Sequence, residues 1–406
     1  MSILRKSLRA GIIVALFLFP ALFLLGQTAQ KAAPSAKDTA PVIMNGKVPQ
    51  PKPGQRKKLV FQEELSIGEA EGDENYMLGD LISLNTDDKG NFYVMDLEKR
   101  NIRKYDPKGK FLLSVGRQGQ GPGEFQSVSS VQFDGNGDLY ITDPLPQQIK
   151  FFDQNGKFLR QVKLPGMFAD LYLLSRGGFV ASLNTQVQSA TEVGFEMKIG
   201  RFDKDGKLTN SFYSSKHGIR MPGDRSPSSL AKFVASALND AIFRPAPRHC
   251  VDKNELIYFG FPDKYEVQVY DVGGRKLRTI ARMFDPIALG DKDRSWFIDE
   301  VVSRNARMLA GTDPKEVAKY LEFPKTKPAY ATFFLMENGW LLVCAEYIWH
   351  EYSLFDLFDD KGVYVGQFKA KLMPDNLFFK NGKAYNVETI DDYKYVKRYN
   401  FKIVDY

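Results

Sequence analysis

The feature that most constrains this chain is a block of short apolar runs that occurs twice in succession. The first copy, Gly90–Asp96, reads GNFYVMD, and the second, Gly137–Asp143, reads GDLYITD. Turns rich in Gly, Asp and Pro separate these runs from the next ones, which is typical of short antiparallel strands and not of helices. One such unit cannot bury its own apolar face. A repeat with a period in the forties therefore predicts a propeller or a solenoid.

Two recurring turn patterns count the units. The first is an aromatic residue, an Asp and, three residues after the Asp, a Gly. It occurs five times, at Tyr105/Asp106/Gly109, Phe152/Asp153/Gly156, Phe202/Asp203/Gly206, Tyr270/Asp271/Gly274 and Phe358/Asp359/Gly362. Asp favours the first position of a turn and Gly the position that needs a positive φ, so each copy predicts a hairpin. The second pattern is a strand that opens after a Gly or Asn turn, and it occurs six times, at Gly90, Gly137, Gly177, Asn254, Gly339 and Gly382.

The two ends of the chain complete each other. The last unit ends at Tyr393–Tyr406 with no room for an outermost strand, whereas Leu59–Gly68 (LVFQEELSIG) resembles the outer strand Phe111–Gly116 (FLLSVG). A ring closed by the N-terminal strand leaves no sheet edge unpaired. We therefore predict an all-β protein, a six-bladed β-propeller over residues 58–406, whose N-terminal strand closes the last blade and which carries small helical insertions on one face.

The two best copies resemble consecutive NHL repeats of a six-bladed propeller of the extracytoplasmic, TolB-like type. The residues that carry the resemblance are Asp96 and Asp143 at the ends of second strands, Ile102 and Ile149 six residues later, and the glycine-rich crossing Gly116–Phe125 (GRQGQGPGEF). Where an NHL repeat has Asn then Arg before the Ile, this chain has Arg100-Asn101 and Gln147-Gln148, so roles for those positions are not carried over. The resemblance implies a propeller that binds a ligand or a protein outside the cytoplasm more often than it catalyses a reaction, and it implies no particular substrate.

The N-terminal segment predicts export. In residues 1–30, Arg5, Lys6 and Arg9 precede an apolar run from Gly11 to Gly26. This run is shorter than the roughly 20 residues that span a bilayer, which favours a signal peptide over a membrane anchor. An uncleaved tether stays open because the cleavage site is poor. Residues 31–57, rich in Ala, Pro and Lys, predict a flexible linker. The expected location is periplasmic or secreted, with membrane contact only through an uncleaved leader.

Composition narrows the possible partners and cofactors. The formal net charge is +7, part of it in the leader, and no basic arm or basic stripe interleaved with aromatic residues argues for nucleic acid. Three His residues, far apart in sequence, argue against a His-built zinc centre. The stretch Gly119–Gly123 lacks the Lys-Ser/Thr of a phosphate-binding loop. We predict no metal and no cofactor. Cys250 and Cys344 can pair in an oxidising compartment, but their apolar surroundings favour free, buried thiols.

The long loops fall on one face of the predicted disc. In a four-stranded blade, the second-to-third turns and the blade crossings share a face, here called the long-loop face, and the tight turns share the other, the short-turn face. The long segments are 184–196, 214–248 and 283–327. Loops of this length are uncommon unless they are functional or disordered. The latter two contain helix-like patterns that predict either a lid over the central cleft or helical padding packed on blades three to five.

Candidate ligand-binding residues follow from this placement. They are Trp296, Trp349, His350, Arg220, Arg244 and Arg248 on the long-loop face, with Asp96 and Asp143 at strand ends. Aromatic and cationic side chains suit a sugar, an anionic ligand or a peptide. The two Asp residues can face the channel as acids, although a strand-end Asp more often hydrogen-bonds the backbone of its own turn.

Three functions remain open from the sequence. The favoured one is an exported scaffold that binds a protein, a peptide or a carbohydrate through the long-loop face. The alternative is a propeller hydrolase or lyase of lactonase type with a metal in the channel. No set of acidic, amide and His side chains stands out on the predicted innermost strands, so no catalytic residues are assigned. A structural surface component without a pocket is the third.

Overall fold

The chain forms a ring of β-sheets in a computed structural model. The described residues are 40–79, 82–97, 99–188, 192–220, 224, 226–239, 242–243, 245–303, 312–348, 352–372 and 374–406. The predicted leader (1–30) and the first part of the predicted linker lie outside them. Among the described residues, no helix is long and apolar enough to cross a membrane.

Twenty-seven strands make up the described part of the ring. They are β1 (Val42–Asn45), β2 (Lys57–Ile67), β3 (Ile82–Thr86), β4 (Phe92–Asp96), β5 (Asn101–Tyr105), β6 (Phe111–Val115), β7 (Arg117–Gln118), β8 (Glu124–Phe125), β9 (Ser130–Phe133), β10 (Leu139–Asp143), β11 (Gln148–Phe152), β12 (Phe158–Lys163), β13 (Met167–Leu173), β14 (Phe179–Gln188), β15 (Glu192–Phe202), β16 (Leu208–Arg220), β17 (Arg248–Val251), β18 (Ile257–Gly260), β19 (Glu266–Tyr270), β20 (Lys276–Arg282), β21 (Thr332–Leu335), β22 (Leu341–Ile348), β23 (Tyr352–Phe358), β24 (Tyr364–Ala370), β25 (Phe378–Lys380), β26 (Lys383–Ile390) and β27 (Tyr393–Asp405).

The strands form six antiparallel blades, as predicted. Blades 1 to 5 are β3–β6, β9–β12, β13–β16, β17–β20 and β21–β24, and blade 6 is β25–β27 with β2 as its outermost strand. Strand β2 pairs with β27 from Lys57↔Asp405 to Ile67↔Val396. The predicted closure by the N-terminal strand is therefore confirmed.

Packing between blades explains the strand sequences. All five positions of β4 and all five of β10 are buried, because each blade is covered on both faces by its neighbours. Apolar clusters bridge successive blades, as where Tyr93 of blade 1 packs edge-on against Phe133 of blade 2 at 5.1 Å. The runs are therefore almost continuously apolar and do not alternate with polar residues.

The predicted hairpin turns have the expected chemistry. In the first, Asp106 Oδ1 accepts hydrogen bonds from the backbone N–H groups of Lys108 and Lys110 at 2.8 and 2.9 Å, and Gly109 has a φ of 85°. The other four copies also place an Asp carboxylate on turn amides and a Gly at positive φ. These five motifs set turns and leave no unexplained residue.

The glycine-rich crossing between blades 1 and 2 is equally structural. A Cβ on Gly116 would lie 2.0 Å from the Phe125 ring, so only Gly allows this ring to pack there. The Glu124 carboxylate accepts from the Gly121 N–H at 2.9 Å and from Arg117 Nε at 2.8 Å. The loop is thus held by its own residues and by the fully buried Phe125.

A segment of the predicted flexible linker forms part of the ring. Strand β1 adds to blade 4 as a fifth strand, parallel to β20. The buried Asn45 donates to the carbonyls of Ala281 in blade 4 and Gly362 in blade 5 at 3.0 and 2.9 Å, and accepts from the Tyr364 N–H at 2.8 Å. Residues 40–67 therefore run along the outer strands of blades 4, 5 and 6. The linker prediction missed this strand because backbone pairing from an outside edge leaves no periodic signal.

The helices lie in the two predicted insertions. They are α1 (Pro227–Asn239), α2 (Asp291–Trp296) continuing into a π-helix (Phe297–Val302), and α3 (Pro314–Ala318); a 3₁₀ turn spans Pro374–Asn376. The first insertion begins later than predicted, because residues 214–220 belong to β16. Segment 184–196 is mostly paired strand, with β14 and β15 in register as far as Gln188↔Val193, so it is a projecting hairpin and not a long loop.

Candidate functional site

The ring encloses a central channel of about 1230 Å³. The innermost strands β3, β9, β13, β17, β21 and β25 line it, together with tight turns of the short-turn face such as Asp134-Gly135, Asp252-Lys253-Asn254 and Glu337-Asn338-Gly339. No described residue of α1, α2 or α3 belongs to this lining. The lining thus includes tight turns of the short-turn face, and it also includes Pro247 and Leu377, which directly precede β17 and β25 at the long-loop face.

The wall between blades 3 and 4 is irregular. Among the described innermost strands, only β13 shows a register shift against its neighbour, between Ala169 and Tyr172. Within this bulge Asp170 has a φ of 47°, a left-handed conformation that Asp tolerates better than most residues. Bulges commonly re-aim side chains near binding sites.

The bulge places a histidine and a tyrosine side by side. His249 of β17 has its Nε2 2.9 Å from the backbone carbonyl oxygen of Asp170. The Tyr172 ring meets the His249 ring edge-on, with centroids 5.8 Å apart. Both side chains are half-buried and line the channel.

Protein surroundings shift the protonation equilibria of this wall. Loss of hydration lowers the pKa of His249, while the Asp170 charge opposes the shift and Arg248 adds to it. The same loss of hydration raises the pKa of Tyr172 well above its usual value, and raises that of the Cys250 thiol to about 12. At neutral pH the wall therefore presents a neutral imidazole, a neutral phenol and a neutral thiol. Cys250 and Cys344 are both free thiols.

Charged side chains of the channel are largely engaged by the protein itself. Lys380 forms an ion pair with Asp88 at 3.0 Å and donates to the Thr86 carbonyl at 2.8 Å. Arg278 donates to the Asp360 carbonyl at 3.0 Å, and Asp134 and Asp252, like the hairpin Asp residues, accept from amides of their own turns. The Asp134 and Asp252 carboxylates at this mouth thus stabilise their own turns.

The described part of the chain contains no group of three or more His, Cys, Asp or Glu side chains placed to hold a metal ion. A carboxylate- and His-built metal centre of the lactonase-type alternative is therefore not found among the described residues. We derive no reaction through a metal.

The two insertions fold together into one unit, here called the cap, consisting of the described residues of 226–243 and 289–323. Its buried core consists of Ala231, Val234, Ala235, Leu238, Ile242, Phe297, Val302 and Val317, and no side chain of that core comes from a blade. Asn239 ties the two insertions, because its side chain donates to the Tyr320 carbonyl at 3.0 Å and accepts from the Glu322 N–H at 2.8 Å. No described residue of the cap lines the channel, and α1 contacts β16 of blade 3.

One buried lysine connects the cap to the ring. Lys327 reaches Asp293 of α2 at 2.8 Å and Glu346 of β22 at 3.2 Å, with a side chain only 13% exposed. Both carboxylates contribute to raising the pKa of Lys327, against the effect of burial. The cap therefore stands on blade 5 at the long-loop face, where β22 ends.

Asp96 and Asp143 lie inside the blades. They are 1% and 0% exposed and are absent from the channel lining. Asp143 accepts from the Ser127 N–H at 2.8 Å and from Lys150 at 2.8 Å, and Asp96 accepts from the Lys99 N–H at 2.9 Å and faces Arg103 at 3.4 Å. Each carboxylate thus neutralises a buried cation from the next strand and fixes backbone amides, which leaves it inaccessible to a ligand from the channel.

Of the remaining sequence candidates, only Trp296 and Arg248 have described side chains, and these two lie in different parts of the molecule. Trp296 is half-buried in the cap and packs near Phe243, with ring centroids 6.5 Å apart. Arg248 lines the channel beside His249. Arg220 is the last residue of β16, and its side chain is not among the described ones. Trp349, His350 and Arg244 lie outside the described residues.

Sequence reasoning missed the wall formed by Asp170, Tyr172 and His249. Nothing in the sequence marks the bulge in β13 that brings Asp170 and Tyr172 to His249. The Asp170 carbonyl is a backbone group, so its hydrogen bond to His249 has no signature in residue identity.

Comparisons with known proteins agree with the architecture. A family model described as Domain of unknown function (DUF4934) matches residues 71–245. No curated protein matches the chain. A Bacteroides fragilis protein described as a "putative exported protein" has a similar structure, with a TM-score of 0.50 at 10% identity, over 89% of this chain and 99% of that one.

Two enzymes show weaker structural similarity. They are virginiamycin B lyase from Staphylococcus aureus (TM-score 0.41, 8% identity, 85% of this chain and 99% of that one) and a gluconolactonase from Xanthomonas campestris (TM-score 0.39, 12% identity, 92% and 100%). At such identities a structural likeness concerns the fold and not the activity. By its own topology, the chain is an all-β six-bladed β-propeller.

Proposed function

We propose that this chain is an exported, NHL-like β-propeller that acts as a binding scaffold and captures a partner protein or peptide through the cap on the long-loop face. The observation that carries this proposal is the cap itself, in which two insertions from different blade crossings share one apolar core. The blades close into a ring without these insertions. A second small core on one face therefore adds a surface that the fold does not need for closure.

Connectivity supports the choice of face. Strand β16 ends and β17 begins at the long-loop face, and the first insertion lies between them. The hairpin of β14 and β15 and the end of β16 also project there, with Glu192 paired to Arg220. The cap and this three-stranded extension both lie at the long-loop face, and loops and projections carried by a rigid scaffold commonly supply binding residues.

Export remains part of the proposal. It is supported by the positively charged and apolar leader in the sequence and is consistent with the similarity to an exported protein of the same fold. The sequence resemblance to NHL repeats supports a binding role in the same way. Neither one specifies a partner.

Replacing the cap tests the proposal. Segments 226–243 and 289–323 would be exchanged for short Gly-Ser linkers, and proteins captured from the secreted fraction would be compared with those captured by the intact chain. A matched control shortens the β14–β15 hairpin, which projects from the same face. We expect the capless protein to keep the far-UV circular dichroism of the ring and to lose the partner, while the control retains it.

A candidate partner is accepted only if it binds the purified intact chain directly, measured by isothermal titration calorimetry. Equal binding to the intact and capless proteins would disprove the cap as the binding surface. Loss of binding in the hairpin control alone would move the site to the three-stranded extension.

A further inference from the structure

We propose that the channel wall between blades 3 and 4 binds a neutral, polyhydroxylated ligand, a sugar or a molecule with similar hydroxyl groups, through Tyr172 and His249. This site goes beyond the partner surface proposed for the cap and does not depend on it, since no described cap helix residue lines the channel.

The hydrogen bond to Asp170 fixes the orientation and tautomer of His249. A carbonyl oxygen only accepts, so Nε2, 2.9 Å away, must carry the proton. The other ring nitrogen, Nδ1, is then a lone-pair acceptor, and it has no hydrogen bond to any described residue. The lowered pKa of His249 keeps this acceptor unprotonated at neutral pH.

Tyr172 supplies the complementary group. Tyr172 lines the channel, and its hydroxyl, which makes no hydrogen bond to a described residue, can both donate and accept. An acceptor nitrogen beside a phenol suits a ligand hydroxyl, which donates to one and accepts from the other. Two adjacent hydroxyls of a sugar can use both groups at once.

Hydrogen bonds from blade 2 hold the backbone of β13 in this wall. The Tyr140 hydroxyl of blade 2 donates to the Leu171 carbonyl at 3.3 Å and accepts from the Leu173 N–H at 3.2 Å. These bonds hold the backbone on both sides of Tyr172, directly after the residue whose carbonyl bonds His249. A site built on supported strands loses little entropy when a ligand binds.

The charge of the wall favours a neutral ligand. Apart from Asp170, Arg248 and Lys380, the lining side chains contributed by the innermost strands are uncharged. Lys380 is engaged by Asp88. The other two carry opposite charges and flank His249, so the wall has no net charge to attract a strongly anionic or cationic ligand.

Aromatic rings also line the channel. Phe133, Phe334 and Phe378 are partly buried there, and each also packs against a second aromatic ring of the blades. Aromatic faces accommodate the apolar C–H surface of a sugar ring, and a few placed polar groups give it orientation. The cavity of about 1230 Å³ has room for a disaccharide.

The test uses saturation-transfer NMR on the full chain with maltose, cellobiose, glucuronate and glucosamine as probes. We expect transfer to at least one neutral disaccharide and weaker or no transfer to the charged sugars. Tyr172→Phe, which keeps the ring, and His249→Asn should each weaken the apparent Kd by about 3- to 10-fold, the effect of one lost hydrogen bond. The matched control is Tyr320→Phe in the cap, which should leave the Kd unchanged.

Three results would overturn the proposal: no transfer to either disaccharide, transfer only to the charged sugars, or equal binding in Tyr172→Phe, His249→Asn and Tyr320→Phe. The capless protein should still bind the disaccharide. Failure of the cap to capture a partner therefore has no bearing on this outcome, and the two proposals can fail separately.

Discussion

The ring and the cap are stabilised by contacts of different reach. The ring depends on contacts between blades, for example Asp356 of blade 5, which accepts from the Tyr364 hydroxyl and the Gln367 side chain at 2.8 Å, from Arg282 of blade 4 at 2.9 Å and also from Tyr265. The core of the cap, by contrast, contains only residues of the two insertions. A substitution in the ring is thus expected to affect the whole fold, whereas one in the cap should remain local.

The largest expected effect is in the ring. Asp356→Ala would remove the acceptor of four donors and leave the Arg282 cation, 10% exposed, without its carboxylate. Breaking a buried ion pair from one side costs about 3 to 5 kcal/mol. We expect unfolding in urea to remain a single cooperative transition and the free energy of unfolding to fall by this amount.

The control for this experiment is Arg275→Ala, which removes an ion pair whose guanidinium is 79% exposed. Exposed pairs contribute about 0 to 1 kcal/mol. If the two variants were destabilised equally, the buried Asp356–Arg282 pair between blades 4 and 5 would contribute no more to the stability of the ring than an exposed pair.

The cap should respond locally. Leu238→Ala in α1 would truncate a side chain that is 4% exposed, and such changes cost about 2 to 5 kcal/mol. We expect faster amide hydrogen exchange in α1 and α3, while exchange in β4 and β10 stays unchanged. Leu112→Ala, at a site 46% exposed on the ring, is the matched control. Equal acceleration in cap and ring would show that the two are one cooperative unit.

For the channel wall we expect a smaller effect, a dependence of the free energy of unfolding on pH. Because the pKa of His249 is lowered in the folded state, the unfolded chain binds a proton below about pH 6.5 that the folded chain does not. Stability from this group is complete above that pH and falls as pH decreases toward the folded pKa, with a slope of at most about 1.4 kcal/mol per pH unit.

Urea denaturation of wild type and His249→Asn from pH 7 to pH 5 would measure this effect. The charged groups near the imidazole are Asp170 and Arg248, and they are unchanged in the variant. We expect the wild type to lose more stability than the variant on acidification. Parallel curves would mean that His249 has the same pKa in both states.

The smallest expected effect lies at the start of α3. The Asp313 side chain accepts from the Lys315 N–H at 2.9 Å and caps this helix, which places Val317 in the cap core. Asp313→Ala should cost about 1 kcal/mol, and Asp313→Asn should restore most of it. Hydrogen exchange in α3 is the measurement, and a change in ring stability would contradict the separation of the two regions.

The sequence was sufficient for the ring but not for the site. The Asp106/Gly109 type of turn and the GNFYVMD type of strand are local patterns. The number of blades and the closure of the ring by Leu59–Gly68 could therefore be predicted from the sequence. The association of α1 with α3 was not, because it joins residues about 80 positions apart through side chains that only appear as ordinary apolar spacing. Strand β1 was not predicted for the same reason, since its partner β20 lies more than 230 residues away.

What the sequence determined by itself is the architecture: six blades, tight turns on one face, long insertions on the other, and an N-terminal strand that closes the ring. Turn chemistry and strand composition act within a few residues, so residue identity is enough to reveal them. Tertiary structure alone decided that Asp96 and Asp143 are buried partners of cations and that the two insertions form one cap. It also decided that Tyr172 and His249 meet at a bulge, because that meeting depends on a backbone carbonyl and on the packing of two blades.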